Sequence, residues 1–209
     1  GLMLSILTAQ DPFVIDTSLS SSLPQSIANS IEIADVDNDG YNDIIMSGYD
    51  STRFGLFIDV INVNSQGALT SGFSTNFITY PDTIAEFSGG LGNLDLSDVN
   101  LDGSIDIYLN GSARSELLMN SSSGYFSESN WLQNMFVIHS NGKWGDVNMD
   151  GKPDLFLMGV KEPADNILNE LYLNTGTYLD EDPTTIFPAL FTGSSAWGDY
   201  DNDGDPDLI

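Results

Sequence analysis

Twenty-four residues of this chain fall into four copies of one oxygen-rich pattern with the spacing of a metal-binding loop. The first copy runs Asp35, Asp37, Asp39, Gly40, Tyr41, Asp43, and the second runs Asp98, Asn100, Asp102, Gly103, Ser104, Asp106. The third is Asp146, Asn148, Asp150, Gly151, Lys152, Asp154, and the fourth is Asp199, Asp201, Asp203, Gly204, Asp205, Asp207. The pattern is Asp at position 1, Asp or Asn at 3, Asp at 5, Gly at 6 and Asp at 9. In a tight loop the oxygens of positions 1, 3 and 5 converge on one point, the main-chain carbonyl of position 7 adds a further ligand, and Gly at 6 permits the sharp turn. Carboxylates held this close repel one another by several kcal/mol at an effective dielectric of about 20, so they call for a cation. An all-oxygen set without His or Cys fits Ca²⁺ best, because Mg²⁺ tends to keep its waters and zinc prefers nitrogen or sulfur. About four ions are expected, one per loop, with side-chain ligands from positions 1, 3, 5 and 9. Asp, Asn and Gly also favour ordinary solvated turns. Turn preference accounts for one such loop, but not for four in the same phase.

The flanks of the loops repeat as well, and they define the elements that must position the acids. Two residues before each loop stands a large apolar residue (Ile33, Leu96, Trp144, Trp197), followed by a small one (Ala34, Ser97, Gly145, Gly198). After position 9 comes a short apolar run of β type, such as Ile44 to Met46, Ile107 to Leu109 and Leu155 to Leu157. The unit is therefore strand, loop, buried strand, turn. An EF-hand would need an acid at position 12 and flanking helices. Position 12 holds Met46, Leu109 and Leu157, which excludes it. The loops start at residues 35, 98, 146 and 199, so the intervals are 63, 48 and 53 residues. That spacing suits a four-stranded propeller blade rather than a stacked calcium solenoid.

The run from Trp197 through Asp199, Asp201, Asp203, Gly204 and Asp207 to Ile209 resembles the FG-GAP or VCBS repeat of integrin α-subunit propellers and many secreted bacterial proteins. The resemblance implies an all-β fold, a β-propeller of four-stranded blades with about four blade equivalents, each calcium loop joining the first and second strands of a blade. Further hairpins fit the same blade, near residues 54–63, near 116–126 and near 170–178, and residues 1–6 resemble 55–60. The expected layout is an outer half-blade over 1–30, blades over 31–90, 91–140 and 141–191, and an inner half-blade over 192–209. Three ways of completing the half-blades stay open: the termini pair into a small ring, the chain is a window on a larger propeller, or neighbouring copies complete each other.

Composition narrows the partners. The chain has 209 residues, with 31 Asp plus Glu against five Lys plus Arg, a formal charge of −26. Nucleic acid and anionic membrane surfaces are not expected as partners on that charge. No apolar run is long enough to cross a bilayer, so membrane insertion is not expected. With 41% hydrophobic residues the chain should bury a sizeable core, and the absence of Cys removes disulfides and thiolate metal sites. Trp144 and Trp197 occupy equivalent repeat positions and are expected in the core. Trp131 could stack on a sugar but packing is the default, and His139 stands in no catalytic constellation. No nucleophile elbow, phosphate-binding Gly loop or zinc signature is present. Asn110 and Asn120 begin glycosylation sequons.

Two function classes remain. The first is a secreted or cell-surface, non-enzymatic module for adhesion, macromolecular binding or self-assembly, with other copies of the chain, surface proteins or glycans as partners. The alternative is a propeller domain of a secreted carbohydrate-active enzyme. Calcium is expected to stabilise the fold rather than to switch it.

Overall fold

The structure, a computed structural model, describes residues 27–50, 55–63, 69–79, 93–110, 115–132, 137–161, 166–190 and 193–209. The strand expected over residues 1–6 lies outside them. Every regular element among the described residues is a β-strand. The first sheet is an antiparallel meander of β1 (Ile27–Ala34), β2 (Asp43–Asp50), β3 (Gly55–Val63) and β4 (Leu69–Thr79). The second repeats that order with β5 (Asn93–Ser97), β6 (Asp106–Asn110), β7 (Ser115–Asn120) and β8 (Phe126–Glu128). The third has β9 (Val137–Gly145), β10 (Asp154–Lys161), β11 (Asn166–Asn174) and β12 (Leu179–Glu181). A two-stranded sheet follows, β13 (Trp197–Gly198) with β14 (Asp207–Leu208).

In every sheet the acidic loop joins the first strand to the second, and its register is the same. Ala34 pairs with Asp43, Ser97 with Asp106, Gly145 with Asp154, and Gly198 with Asp207. The small residue before the loop is thus always opposite the last Asp of the loop.

The second strands show why the sheets stack. Side chains alternate across a strand, so a strand that is apolar throughout must be covered on both faces. Ile45 of β2 joins Ile58, Val60, Leu94, Ile107, Leu109 and Leu118 in a core between the first and second sheets. Tyr108, on the opposite face of β6, joins Leu155, Leu157, Leu168 and Tyr172 between the second and third. Phe156 and Met158 of β10 face Phe187, Trp197 and Leu208, toward the fourth. Burying each such side chain stabilises the chain by about 1.5–3 kcal/mol relative to leaving it in water.

First strands also lie against one another in chain order, β1 beside β5, β5 beside β9 and β9 beside β13. Asp95 of β5 accepts from Lys143 Nζ and from the Trp144 N–H, both at 2.8 Å. Asn141 Oδ1 of β9 accepts from Ser195 Oγ at 2.8 Å, and Trp197 Nε1 donates to the Lys143 carbonyl at 3.2 Å. Trp144 packs edge-on against Tyr108 with ring centroids 5.8 Å apart, so both repeat tryptophans are packing residues between sheets. Trp131 also packs against the core between the second and third sheets.

The indole of Trp197 lies directly over Gly145, where an added Cβ would stand 2.7 Å from the ring. A Gly145→Ala substitution is therefore expected to destabilise the chain by about 1–3 kcal/mol through overpacking. Urea denaturation followed by Trp fluorescence measures this; an unchanged midpoint would show that the ring does not rest on that glycine.

Candidate metal centres

The four acidic loops fold on one set of hydrogen bonds. The position 5 N–H donates to the carboxylate of position 1, at 3.1, 3.0, 2.9 and 3.1 Å for Asp39, Asp102, Asp150 and Asp203. The same N–H donates to the side-chain oxygen of position 3, which is Asp37, Asn100, Asn148 or Asp201. The position 6 glycine N–H donates to the other oxygen of position 1, at 2.8 to 3.2 Å. The position 7 residues Tyr41, Ser104, Lys152 and Asp205 each donate their N–H to the position 5 carboxylate.

These bonds wrap the backbone around the acids, and two positions take left-handed conformations to allow it. The glycines have φ from 84° to 97°, where a Cβ is strained. Position 4 is left-handed too, at 56° to 62° for Asn38, Leu101, Met149 and Asn202. Asn tolerates that conformation, whereas Leu101 and Met149 hold it at a cost of roughly 1–2 kcal/mol.

Position 9 does something different. Asp43, Asp106 and Asp154 are fully buried. One oxygen of each accepts the N–H of position 2 in its own loop, from Val36, Val99 and Val147 at 2.9 to 3.1 Å. The other accepts an N–H at the end of the third strand, from Val63, Asn120 and Asn174 at 2.7 to 2.9 Å. Asp207 receives the Tyr200 N–H at 2.8 Å in the same way. Burial raises the carboxyl pKa of Asp43, Asp106 and Asp154, partly offset by those backbone donors; for Asp106 the result is about 6.

Carboxylate oxygens of Asp35, Asp37 and Asp39 lie within 4.8 Å of one another, as do those of Asp199, Asp201 and Asp207. In the second and third loops Asn100 and Asn148 replace one carboxylate. This donor set of hard oxygens around a point, with position 9 held from behind, fits a hard divalent cation. Such an ion would supply the positive charge that lets the acids stay ionised side by side. Position 12 gives no ligand, since Met46, Leu109 and Leu157 are in the core.

The loops differ in charge in ways that spacing alone does not weigh. Counting Asp and Lys over positions 1 to 9 gives −4, −3, −2 and −5 in chain order. The third loop is the least acidic because it carries Lys152, whose Nζ donates to Asp150 Oδ2 at 2.6 Å and lowers the Asp150 pKa. In the first loop Asn62 of β3 donates to Asp37 Oδ2 at 2.6 Å, whereas in the second the position 3 residue Asn100 itself donates to Asp102 Oδ2 at 2.9 Å. Asn62 is not part of the repeat pattern; only its place beside Asp37 in the folded sheet reveals it. Valines at position 2 are plugs into the sheet interfaces, Val36 and Val99 being fully buried. Tyr200, at that position in the fourth loop, is 76% exposed.

Asn110 and Asn120, which begin the two sequons, are both buried in the folded chain, and the Asn120 amide donates to the carbonyls of Val36 and Ile105. The side chain of His139 lies outside the described residues.

Stacked meanders with an acidic loop between the first two strands of each define a repeat protein of blade-like sheets. The FG-GAP-like repeat family matches residues 98–157 and 146–209, more than half of the chain, and the chain belongs to that family. No curated protein matches it. No helix among the described residues is long and apolar enough to cross a membrane.

Two outcomes are expected from the loop chemistry. Replacing Lys152 by Ala frees Asp150 and should strengthen cation binding in the third loop several-fold, read by calcium titration with the Gly151 amide as an NMR reporter. Unchanged affinity would show that the ammonium does not compete. The second outcome concerns pH. In chelator, raised carboxyl pKa values mean that the folded chain holds protons the unfolded chain has lost, so Asp106 should make stability rise as pH falls from about 6 toward 4. In calcium the order inverts, because protons then compete with the ion and affinity should fall below pH 6. Urea midpoints at pH 7.5 and 5, with and without chelator, measure both signs.

Proposed function

We propose that this chain is a calcium-stabilised β-propeller module of an extracellular or cell-surface protein, working by contact with other macromolecules rather than by catalysis. The observation that carries the reading is the fourfold recurrence of one loop geometry, with side-chain oxygens of Asp or Asn gathered at positions 1, 3 and 5 and a backbone-anchored Asp at position 9. About four calcium ions are assigned to Asp35, Asp37, Asp39, Asp43 and their counterparts in the other three loops. The order of first strands, each beside the next, supports a radial arrangement with those strands innermost.

An extracellular setting agrees with the loop chemistry, because sites of extracellular modules bind calcium at about 10⁻⁴ to 10⁻³ M. The non-catalytic part rests on how the acids are used: fourteen Asp stand at loop positions 1, 3, 5 and 9. Neighbouring copies or surface glycans are the partners favoured, with strand edges offering a directional contact between copies.

Calcium at tenfold above its dissociation constant would add about 1.4 kcal/mol per site. Removing calcium with a chelator is therefore expected to lower the melting temperature by several degrees, and restoring millimolar calcium to recover it. Calorimetry with and without chelator tests this. An identical melting curve in both would reject a structural role for calcium, and turnover of a polysaccharide lost on mutating an acid outside the loops would reject the non-catalytic role.

A further inference from the structure

Successive loops are connected by something other than sheet packing. Asn120 ends β7, and its Nδ2 donates to two carbonyls: Val36, at position 2 of the first loop, at 2.7 Å, and Ile105, at position 8 of the second, at 3.1 Å. Asn174 ends β11 and repeats the arrangement, reaching Val99 of the second loop at 2.8 Å and Pro153 of the third at 3.1 Å. Both asparagines are buried. Their own N–H groups are the ones that anchor Asp106 and Asp154, at 2.8 and 2.7 Å.

The bonds therefore join end to end. Asp43 holds the Val36 N–H, the Val36 carbonyl holds Asn120, and Asn120 holds Asp106. Asp106 holds the Val99 N–H, the Val99 carbonyl holds Asn174, and Asn174 holds Asp154. Each link is a buried hydrogen bond, where partners are stronger and harder to lose than in water. In the first sheet the equivalent residue is Val63, whose side chain packs with Ile44, Met46 and Ile61 and offers no donor. Among the described residues the array of linked loops thus starts at the first loop.

We propose that Asn120 and Asn174 are coupling residues, each tying one cation loop to the next through a single side-chain amide, so that cation binding at one loop strengthens binding at its neighbours. The physical reason is that a cation fixes the position 9 carboxylate and the position 2 peptide of its loop, which are the groups the asparagines hold. The inference rests on the reading of the loops as cation sites.

The test uses the whole chain and calcium alone, with the amides of Gly40, Gly103 and Gly151 as separate NMR reporters of the first three loops. Asp98→Ala disables the second loop. It is expected to weaken calcium binding at the first and third loops by about fivefold or more, the lower end of ordinary coupling between sites. In Asn120→Leu and Asn174→Leu backgrounds the same Asp98→Ala change should lose its effect on the first and third loops respectively, while Asn→Gln, which keeps the amide, should restore part of it. Should the Leu variants fail to fold, Asn120→Gln and Asn174→Gln carry the test: each should lessen the Asp98→Ala effect at its own loop, and an undiminished effect in both overturns the asparagines' role. Calcium binding at the first and third loops that ignores Asp98→Ala overturns the coupling alone. A chain whose glycine amides do not respond to millimolar calcium overturns the cation reading and the coupling with it.

Discussion

The arrangement depends on a buried carboxylate that accepts two backbone N–H groups. Asp43, Asp106 and Asp154 sit where the second strand begins, and each pins the start of its own loop with one oxygen and the end of the third strand with the other. Hydrogen bonds to a charged acceptor contribute about 1.5–3 kcal/mol each, and losing the acceptor would leave two buried donors unpaired. Burial opposes ionisation, as the raised pKa of Asp106 shows, so the carboxylate is held at some cost. The backbone donors meet part of that cost, and a cation in front of the carboxylate would meet more.

From that anchor the other features follow in order. Position 9 fixes position 2, and position 2 directs its side chain into the interface with the next sheet, as Val36 and Val99 do. The loop is therefore both a cluster of acids and a part of the packing between sheets. Apolar second strands buried on both faces supply the bulk of the core, and first strands add polar links such as Asp95 with Lys143. A chain with a formal charge of −26 has reason to gather its acids this way. Scattered over the surface, they would repel without compensation; gathered in loops, they can be neutralised locally.

The four loops share one backbone path but not one electrostatic setting. Lys152 brings an ammonium into the third loop, Asn62 reaches the first from a neighbouring strand, and Asp205 adds a fifth carboxylate to the fourth. Affinity in such sites follows ligand charge and rigidity. A single shared pattern thus carries a graded charge from loop to loop within one chain.

The loops, their oxygen donors, the strand on either side and the exclusion of an EF-hand were all legible in residue order, because each depends on neighbours within about a dozen positions. Position 9 was legible as one of the acids of the pattern, but not as the anchor of the third strand, since its second donor lies up to 20 residues away. Asn120 shows the limit most plainly. Its local triplet reads as a glycosylation signal, yet its amide is spent on Val36, 84 residues earlier, because stacking of the sheets brings that carbonyl opposite it. Gly145 likewise reads as one small residue among four, and only the indole of Trp197 arriving from the next sheet makes a side chain there impossible without displacement. Short-range periodicity and spacing encode which groups can bind a cation and which strands must be buried. The identity of each group's partner across two sheets is set by how the sheets stack, and no local pattern carries it.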